Sequence, residues 1–322
     1  MIGSLKNNKQ KWIICLVFFM TASLCSAQQD PQFSQNMYNI MMFNPGYAGS
    51  KDAICATALN RQQWAGFDDA PVTSAFSISS PFRLFGAEHG AGLHIMNDQA
   101  GFQNNLGISL TYAYRTNAGP GKIGVGASFG LINNSLDAEW VVPESDHHTH
   151  PSSDPSIPAG NESILIPDFS FGLYYNTDQL YFGLSATHIT EPVLEYSGSA
   201  TSFLSRHYYM TAGYSFVLDN PGFELMPSVM VQSDGSISQV SVGGQINYDN
   251  KLWGGLYYRS GSAIVGMAGL EIFNGIQLGY SYDFATSSIN RHSKGSHEFV
   301  LRYCFSLSID RTTGSHKSIR IL

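Results

Sequence analysis

From residue 53 onward, large apolar residues alternate one by one with small or polar ones. Period two puts successive side chains on opposite faces of an extended strand, so each stretch carries one apolar face and one small or polar face. Leu106, Ile108, Leu110, Tyr112 and Tyr114 face away from Gly107, Ser109, Thr111, Ala113 and Arg115. The pattern repeats in Ile123, Val125, Ala127, Phe129 and Leu131, in Phe169, Phe171, Leu173 and Tyr175, and in Leu180, Phe182, Leu184 and Ala186. Later come Val240, Val242, Gly244, Ile246 and Tyr248, then Ile276 to Phe284, and finally Phe299, Leu301, Tyr303 and Phe305. Fourteen strands are predicted, over residues 53–64, 72–80, 90–98, 105–116, 121–133, 166–176, 179–188, 206–217, 222–233, 236–248, 251–259, 262–273, 275–285 and 296–307. Glycines blur the alternation around Ile264 to Leu270.

A soluble sandwich alternates too, so three further features decide which solvent meets the apolar face. The strands run to about 10–13 residues, long for a soluble sheet but suited to a tilted membrane strand. Aromatics gather at strand ends, as an interfacial girdle requires: Tyr112, Tyr114, Trp140, Tyr174, Tyr175, Tyr257, Tyr258, Tyr280 and Tyr282. The opposite face is rich in Gly, Ser, Thr, Asn and Gln, as a lumen is. An open edge cannot face hydrocarbon, so the first strand must pair with the last. The expected fold is therefore all-β, a single transmembrane antiparallel barrel. Even-numbered connections are short, residues 81–89 being the one long exception, while odd ones include 134–165, 189–205 and 286–295. With both ends on the periplasmic side, the long loops face outward from the cell.

Pairing the first and last strands brings Cys55 and Cys304 to about the same height. Cys304 shares the lumen side with Arg302, whereas Leu59 read as outward puts Cys55 outward as well. A seam disulfide and two separate thiols both stay open. Neither a disulfide framework nor a CxxC metal site is available.

Residues 1–27 read as an export signal: Lys6, Lys9 and Lys11 precede an apolar run from Trp12 to Met20 and a small-residue end at Ser26-Ala27. Residues 28–52 do not alternate and carry Phe33, Met37, Ile40 and Met41; they are expected to fold as a short helix, plug-like, inside or beneath the barrel of residues 53–307. Residues 308–322 form a basic periplasmic tail with Arg311, Lys317 and Arg320. Only 13% of the 322 residues are charged, about half the share in ordinary soluble domains. Without the signal, 14 Lys and Arg stand against 24 Asp and Glu, a net charge of −10 that disfavours nucleic acid as a partner.

No catalytic site emerges from spacing. Gly126-Ala127-Ser128-Phe129-Gly130 matches the G-x-S-x-G pattern, but that motif works on a strained strand-to-helix turn, and Ser128 lies in mid-strand. Asp146-His147-His148-Thr149-His150 offers metal-ligand types in a Ser- and Pro-rich loop without a fixed scaffold, so neither a metal nor a cofactor is assigned. Arg115, Lys122, Asp168, Asp283, Glu298 and Arg302 fall on the lumen face, as a charge ladder or as interior ion pairs.

The run Asp30-Pro31-Gln32-Phe33-Ser34-Gln35, then Phe43-Asn44-Pro45-Gly46-Tyr47-Ala48-Gly49-Ser50, then Arg61-Gln62-Gln63-Trp64 with Ala70-Pro71-Val72-Thr73, resembles the opening of the PorP/SprF family of Bacteroidetes. Asn97-Asp98, Tyr112-Ala113-Tyr114-Arg115, Pro167-Asp168-Phe169 and Gly295-Ser296-His297-Glu298 continue the resemblance in order. Gly46 stands where alanine is common, and Asp68-Asp69 where a glycine usually precedes Ala-Pro. The resemblance implies an outer-membrane component of type IX secretion and gliding motility. It further implies a part in the secretion or surface attachment of a cargo such as an adhesin with a C-terminal sorting domain, and periplasmic or peptidoglycan-binding partners. It marks Gln35, Asn44, Pro45, Tyr47, Gly49, Arg61, Trp64 and Pro71 as plug or partner-binding positions. The rival expectation is a channel or transporter for a small or hydrophobic solute.

Overall fold

The computed structural model describes residues 30–137, 161–196, 201–220, 222–249, 251–273 and 275–305. The expected export signal, Trp140, the Asp146–His150 cluster and the basic tail lie outside the described residues. Fourteen strands make the wall: β1 (Ile54–Gln62), β2 (Val72–Leu84), β3 (Ala87–Ala100), β4 (Gln103–Ala118), β5 (Gly121–Asp137), β6 (Asn161–Asn176) and β7 (Leu180–Thr187). They continue as β8 (His207–Tyr214, resuming at Phe216–Val217), β9 (Phe223–Ser233), β10 (Ser238–Tyr248), β11 (Leu252–Arg259), β12 (Ala263–Ile272), β13 (Ile276–Ala285) and β14 (Ser296–Phe305). Each pairs antiparallel with its chain neighbours, and β1 closes on β14 with Ile54 opposite Phe305 and Gln62 opposite His297. Closure leaves no strand edge for lipid to meet. Among the described residues no helix is long and apolar enough to cross a membrane.

The alternation translates directly into exposure. Leu110 and Leu256 are 63% and 69% exposed, while Thr111 and Ala113, next in line on β4, are 6% and 0% exposed. A continuous belt of outward Leu, Ile, Phe and Tyr is compatible with acyl chains and not with water.

Three expectations need correction. Residues 81–89 are no long connection: β2 and β3 pair as far as Leu84 opposite Ala87, around a tight turn at Phe85-Gly86 with positive φ at both residues. Among the described residues the connections at that rim are thus all short; it is the rim expected to face the periplasm and is called periplasmic below. Tyr174 and Tyr257 are not girdle residues; both are buried on the inner face. Leu59 also points inward, 4% exposed, alongside Cys55, Thr57 and Arg61. That inversion brings Cys55 and Cys304, directly opposite in register, onto the same inner side, where they form a disulfide across the seam.

The inner face is apolar there because a segment fills the barrel. Residues 30–50 run down the lumen as short turns, including a 3-10 turn at Asn36–Tyr38, a helical turn α1 at Ile40–Phe43 and a second 3-10 turn at Pro45–Tyr47. Ile40, Met41, Phe43, Tyr47 and Ala48 pack against Ala113, Tyr174 and Tyr209. Phe33 packs against Leu59, Ala75 and Val300. Met37 and Tyr38 lie on Trp253, Tyr257, Val265 and Met267. Alternation in β12 is therefore blurred because Ala263, Val265 and Met267 are apolar residues on its plug-facing side, not by glycine alone.

Candidate functional site

The lumen and its plug bring together most of the sequence-predicted positions. The plug begins at the outer rim, where Asp30 lies against Thr187 and His207 at the outer ends of β7 and β8. It ends at the periplasmic rim, where Gly49 N–H donates to Ser79 Oγ at 2.9 Å near the inner end of β2. Residues 33–35, 39–41 and 43–49 are all buried.

Near the outer end, Ser34 and Gln35 enter a charge centre. Arg61 on β1 meets Asp283 on β13 at 2.7 Å and Glu298 on β14 at 3.1 Å, and Arg259 on β11 meets the same Asp283 oxygen at 2.9 Å. Each of these four side chains is at most 5% exposed. Two guanidiniums balance two carboxylates, and the plug adds further hydrogen bonds to all four. Ser34 and Gln35 backbone N–H groups each donate to Glu298 at 2.7 Å. Ser34 Oγ donates to Asp283 at 2.5 Å and accepts from Arg61 and Arg259 at 2.8 and 3.0 Å. Buried charge is tolerable when paired and hydrogen-bonded in this way, although Arg61 Nε is left without a partner.

Toward the periplasm the attachment is steric. Asn44 Nδ2 donates to the Leu173 carbonyl at 3.0 Å, while its Oδ1 accepts from Gly46 N–H at 3.0 Å. Pro45 and Gly46 lie in a trench of Gly124, Gly126 and Gly172, and the Ala48 carbonyl lies over Gly90. A Cβ on Gly90 or Gly126 would overlap plug backbone. Tyr47 meets Tyr174 edge-on with centroids 5.1 Å apart. Arg115 donates to the Asn176 side chain at 2.7 Å and to the Gly46 carbonyl at 3.4 Å.

The remaining positions are dispersed. Lys122 pairs with Glu88 at 2.7 Å, both about one-third exposed. Arg302 lies 5.7 Å from the Tyr38 ring centroid. Asp168 meets His188 at 2.9 Å. Trp64 and Pro71 belong to the outer β1–β2 connection, where Trp64 N–H donates to Ser296 Oγ at 3.0 Å and the Pro71 carbonyl accepts from Gln63 N–H at 2.9 Å. Ser128 lies in mid-strand on β5. Sequence reasoning missed Arg259 and Ser34 as members of the charge centre. The inward parity of the last residue of β11 and the Phe33-Ser34-Gln35 run were the signals available.

Beside the plug lies a cavity of about 130 Å³, lined by plug residues between Asp30 and Phe43 and by wall residues that include His94, Asp98, Asp168 and Gln232. Its roof includes a small hairpin in the β7–β8 connection, Val193–Glu195 paired with Thr201–Phe203. Leu194 is buried, and Tyr196 donates to Asn134 Oδ1 at 2.5 Å.

Among solved structures, the chain is similar to the Acinetobacter baumannii outer membrane protein Omp33 at 8% identity and TM-score 0.43, covering 80% of this chain and 100% of that one. A Pseudomonas aeruginosa FadL homologue is similar at 10% identity and TM-score 0.44, covering 79% and 89%. A deletion mutant of the TodX monoaromatic hydrocarbon channel is similar at 12% identity and TM-score 0.46, covering 79% and 90%. No curated protein matches the chain in sequence. Residues 25–303 match the family model described as type IX secretion system membrane protein PorP/SprF.

Proposed function

Because the chain belongs to the PorP/SprF family of type IX secretion membrane proteins, and is thus an outer-membrane β-barrel that works with other components of that system, we propose that it is an accessory barrel acting by protein contact. In this reading it supports the secretion or surface attachment of a cargo protein, such as an adhesin with a C-terminal sorting domain. Its outer connections meet the cargo, and its periplasmic face meets secretion-system or peptidoglycan-binding partners. The observation that carries the proposal is the filled lumen: a buried plug held by a neutral charge centre favours a scaffold over a pore. At the periplasmic rim, Phe85 and Phe273 are 98% and 84% exposed on turn tips, suited to contact with a partner or the lipid boundary.

The solute-channel reading draws on the cavity beside the plug. Two measurements separate the two. Affinity capture from detergent-solubilised outer membranes is expected to bring down a secreted or surface protein, and deletion of the gene is expected to remove that protein from the surface while leaving permeability intact. Steady, solute-selective conductance of the purified barrel in planar bilayers would sink the accessory reading.

A further inference from the structure

The outer end of the plug meets two histidines that the charge centre does not use. His188 follows the last residue of β7 with φ of 52°, a left-handed conformation rarely adopted by a non-glycine residue, and His207 opens β8. The roofing connection between them folds both rings onto Asp30. His207 Nδ1 lies 3.0 Å from the Ser205 carbonyl, which only accepts, so Nδ1 carries the hydrogen. Its Nε2 accepts from the Asp30 backbone N–H at 3.2 Å, a bond that ligation of a metal through Nε2 would replace, and Nδ1 lies 3.6 Å from Asp30 Oδ2. His188 lies between two carboxylates: Nδ1 faces Asp168 Oδ1 at 2.9 Å and Nε2 faces Asp30 Oδ1 at 3.0 Å. Tyr209 donates to the other Asp30 oxygen at 2.7 Å.

Histidine that ligates a metal through one nitrogen almost always donates its other N–H to a carboxylate or a backbone carbonyl. Here one ring uses Asp168 and the other uses Ser205. The three candidate ligand atoms lie within 4.8 Å of one another, and tetrahedral bonds of 2.0–2.2 Å place ligand atoms about 3.3–3.6 Å apart. Among the described residues no Lys or Arg pairs with Asp30 or Asp168, whose side chains are 18% and 8% exposed. The positive charge within reach of these two carboxylates is that of His188, which bridges them, and a bound divalent ion would supply it in its place. The adjoining cavity leaves room for a further ligand, and His94 lines it with a buried Nε2 that has no hydrogen-bond partner.

We propose that Asp30, His188 and His207 bind one divalent first-row metal ion of the zinc type, with Asp168 positioning His188. Two imidazoles and a carboxylate suit zinc in hardness and number. The ion fastens the outer end of the plug to β7 and β8, a role independent of the secretion reading.

The test uses the full chain, purified without a polyhistidine tag, stripped with chelator, re-equilibrated with zinc and assayed for bound metal by mass spectrometry. About one zinc per chain is expected. The double variant H188Q/H207Q is expected to lose it, while H147A/H148A/H150A retains it. D168N is expected to keep the stoichiometry while lowering affinity about 10- to 100-fold. Heat-modifiable mobility on gels reports whether each variant is a folded barrel. Cobalt substitution of the wild-type chain gives a readout that needs no variant: strong visible absorption at one equivalent supports the site. Failure to bind, or loss of the metal in H147A/H148A/H150A alone, overturns the proposal. In that case His188 is an imidazolium bridging two carboxylates.

Discussion

The two ends of the plug are held by different physics. Near the outer rim, Ser34 and Gln35 are gripped by Arg61, Arg259, Asp283 and Glu298, four buried charges that are stable only as a complete set. Near the inner rim, Asn44 to Gly49 are gripped by shape, as backbone laid into a glycine trench and one side-chain amide on a strand carbonyl. A charge grip is all or none, because each missing partner strands another. A steric grip fails in proportion to the atoms added.

Breaking the outer grip has the largest expected effect. Arg61→Met leaves Glu298 and Asp283 short of a partner and costs about 3–5 kcal/mol, measured as a drop in the midpoint of heat-modifiable unfolding. Pairing it with Asp283→Asn restores much of that loss, which a steric account does not predict. Next comes the seam beside the inner grip: replacing Cys55 and Cys304 by serine lowers stability by about 2–4 kcal/mol. Reducing agent should reproduce this shift in the wild type and leave the serine variant unmoved. Gly90→Val tests the trench directly, since its side chain overlaps the Ala48 carbonyl; a loss of about 1–3 kcal/mol is expected, together with protease cleavage inside residues 44–50. The smallest effect is expected at the partly exposed periplasmic pair, where Lys122→Ala costs about 0–1 kcal/mol and less in high salt. If that variant rivals Arg61→Met, burial is not what distinguishes the two ends.

The wall was legible in the sequence because lipid enforces strict alternation. The predicted 53–64 became Ile54–Gln62, and 206–217 became His207–Tyr214 with Phe216–Val217. Legibility failed where another contact replaced lipid or lumen water. β5 runs on to Asp137 through Asn133, Asn134 and Ser135, since a strand that has left the membrane can stay paired without alternating. Residues 81–89 read as a connection, yet Pro81 sits in the β2–β3 ladder opposite Gly90, as a proline can wherever no N–H is needed. Leu59 was assigned outward because an apolar residue was expected to seek lipid, whereas Phe33 gives it an apolar neighbour within. Of the candidate site, Asp283 and Glu298 were visible as inward charges, whereas Arg61 was marked only by the family resemblance. Their convergence on Ser34 was not, because the contacts span 27 to 264 residues of chain and no periodicity encodes them.

The direction in which the plug runs constrains how the molecule is assembled. Residue 30 lies at the outward mouth, residue 50 at the inward one, and the wall starts four residues later. The chain therefore doubles back on itself before the first hairpin forms. Unless its leading end is pushed through a finished ring, the staves must gather around that end, with the zipping of the first stave to the last as the step that imprisons it.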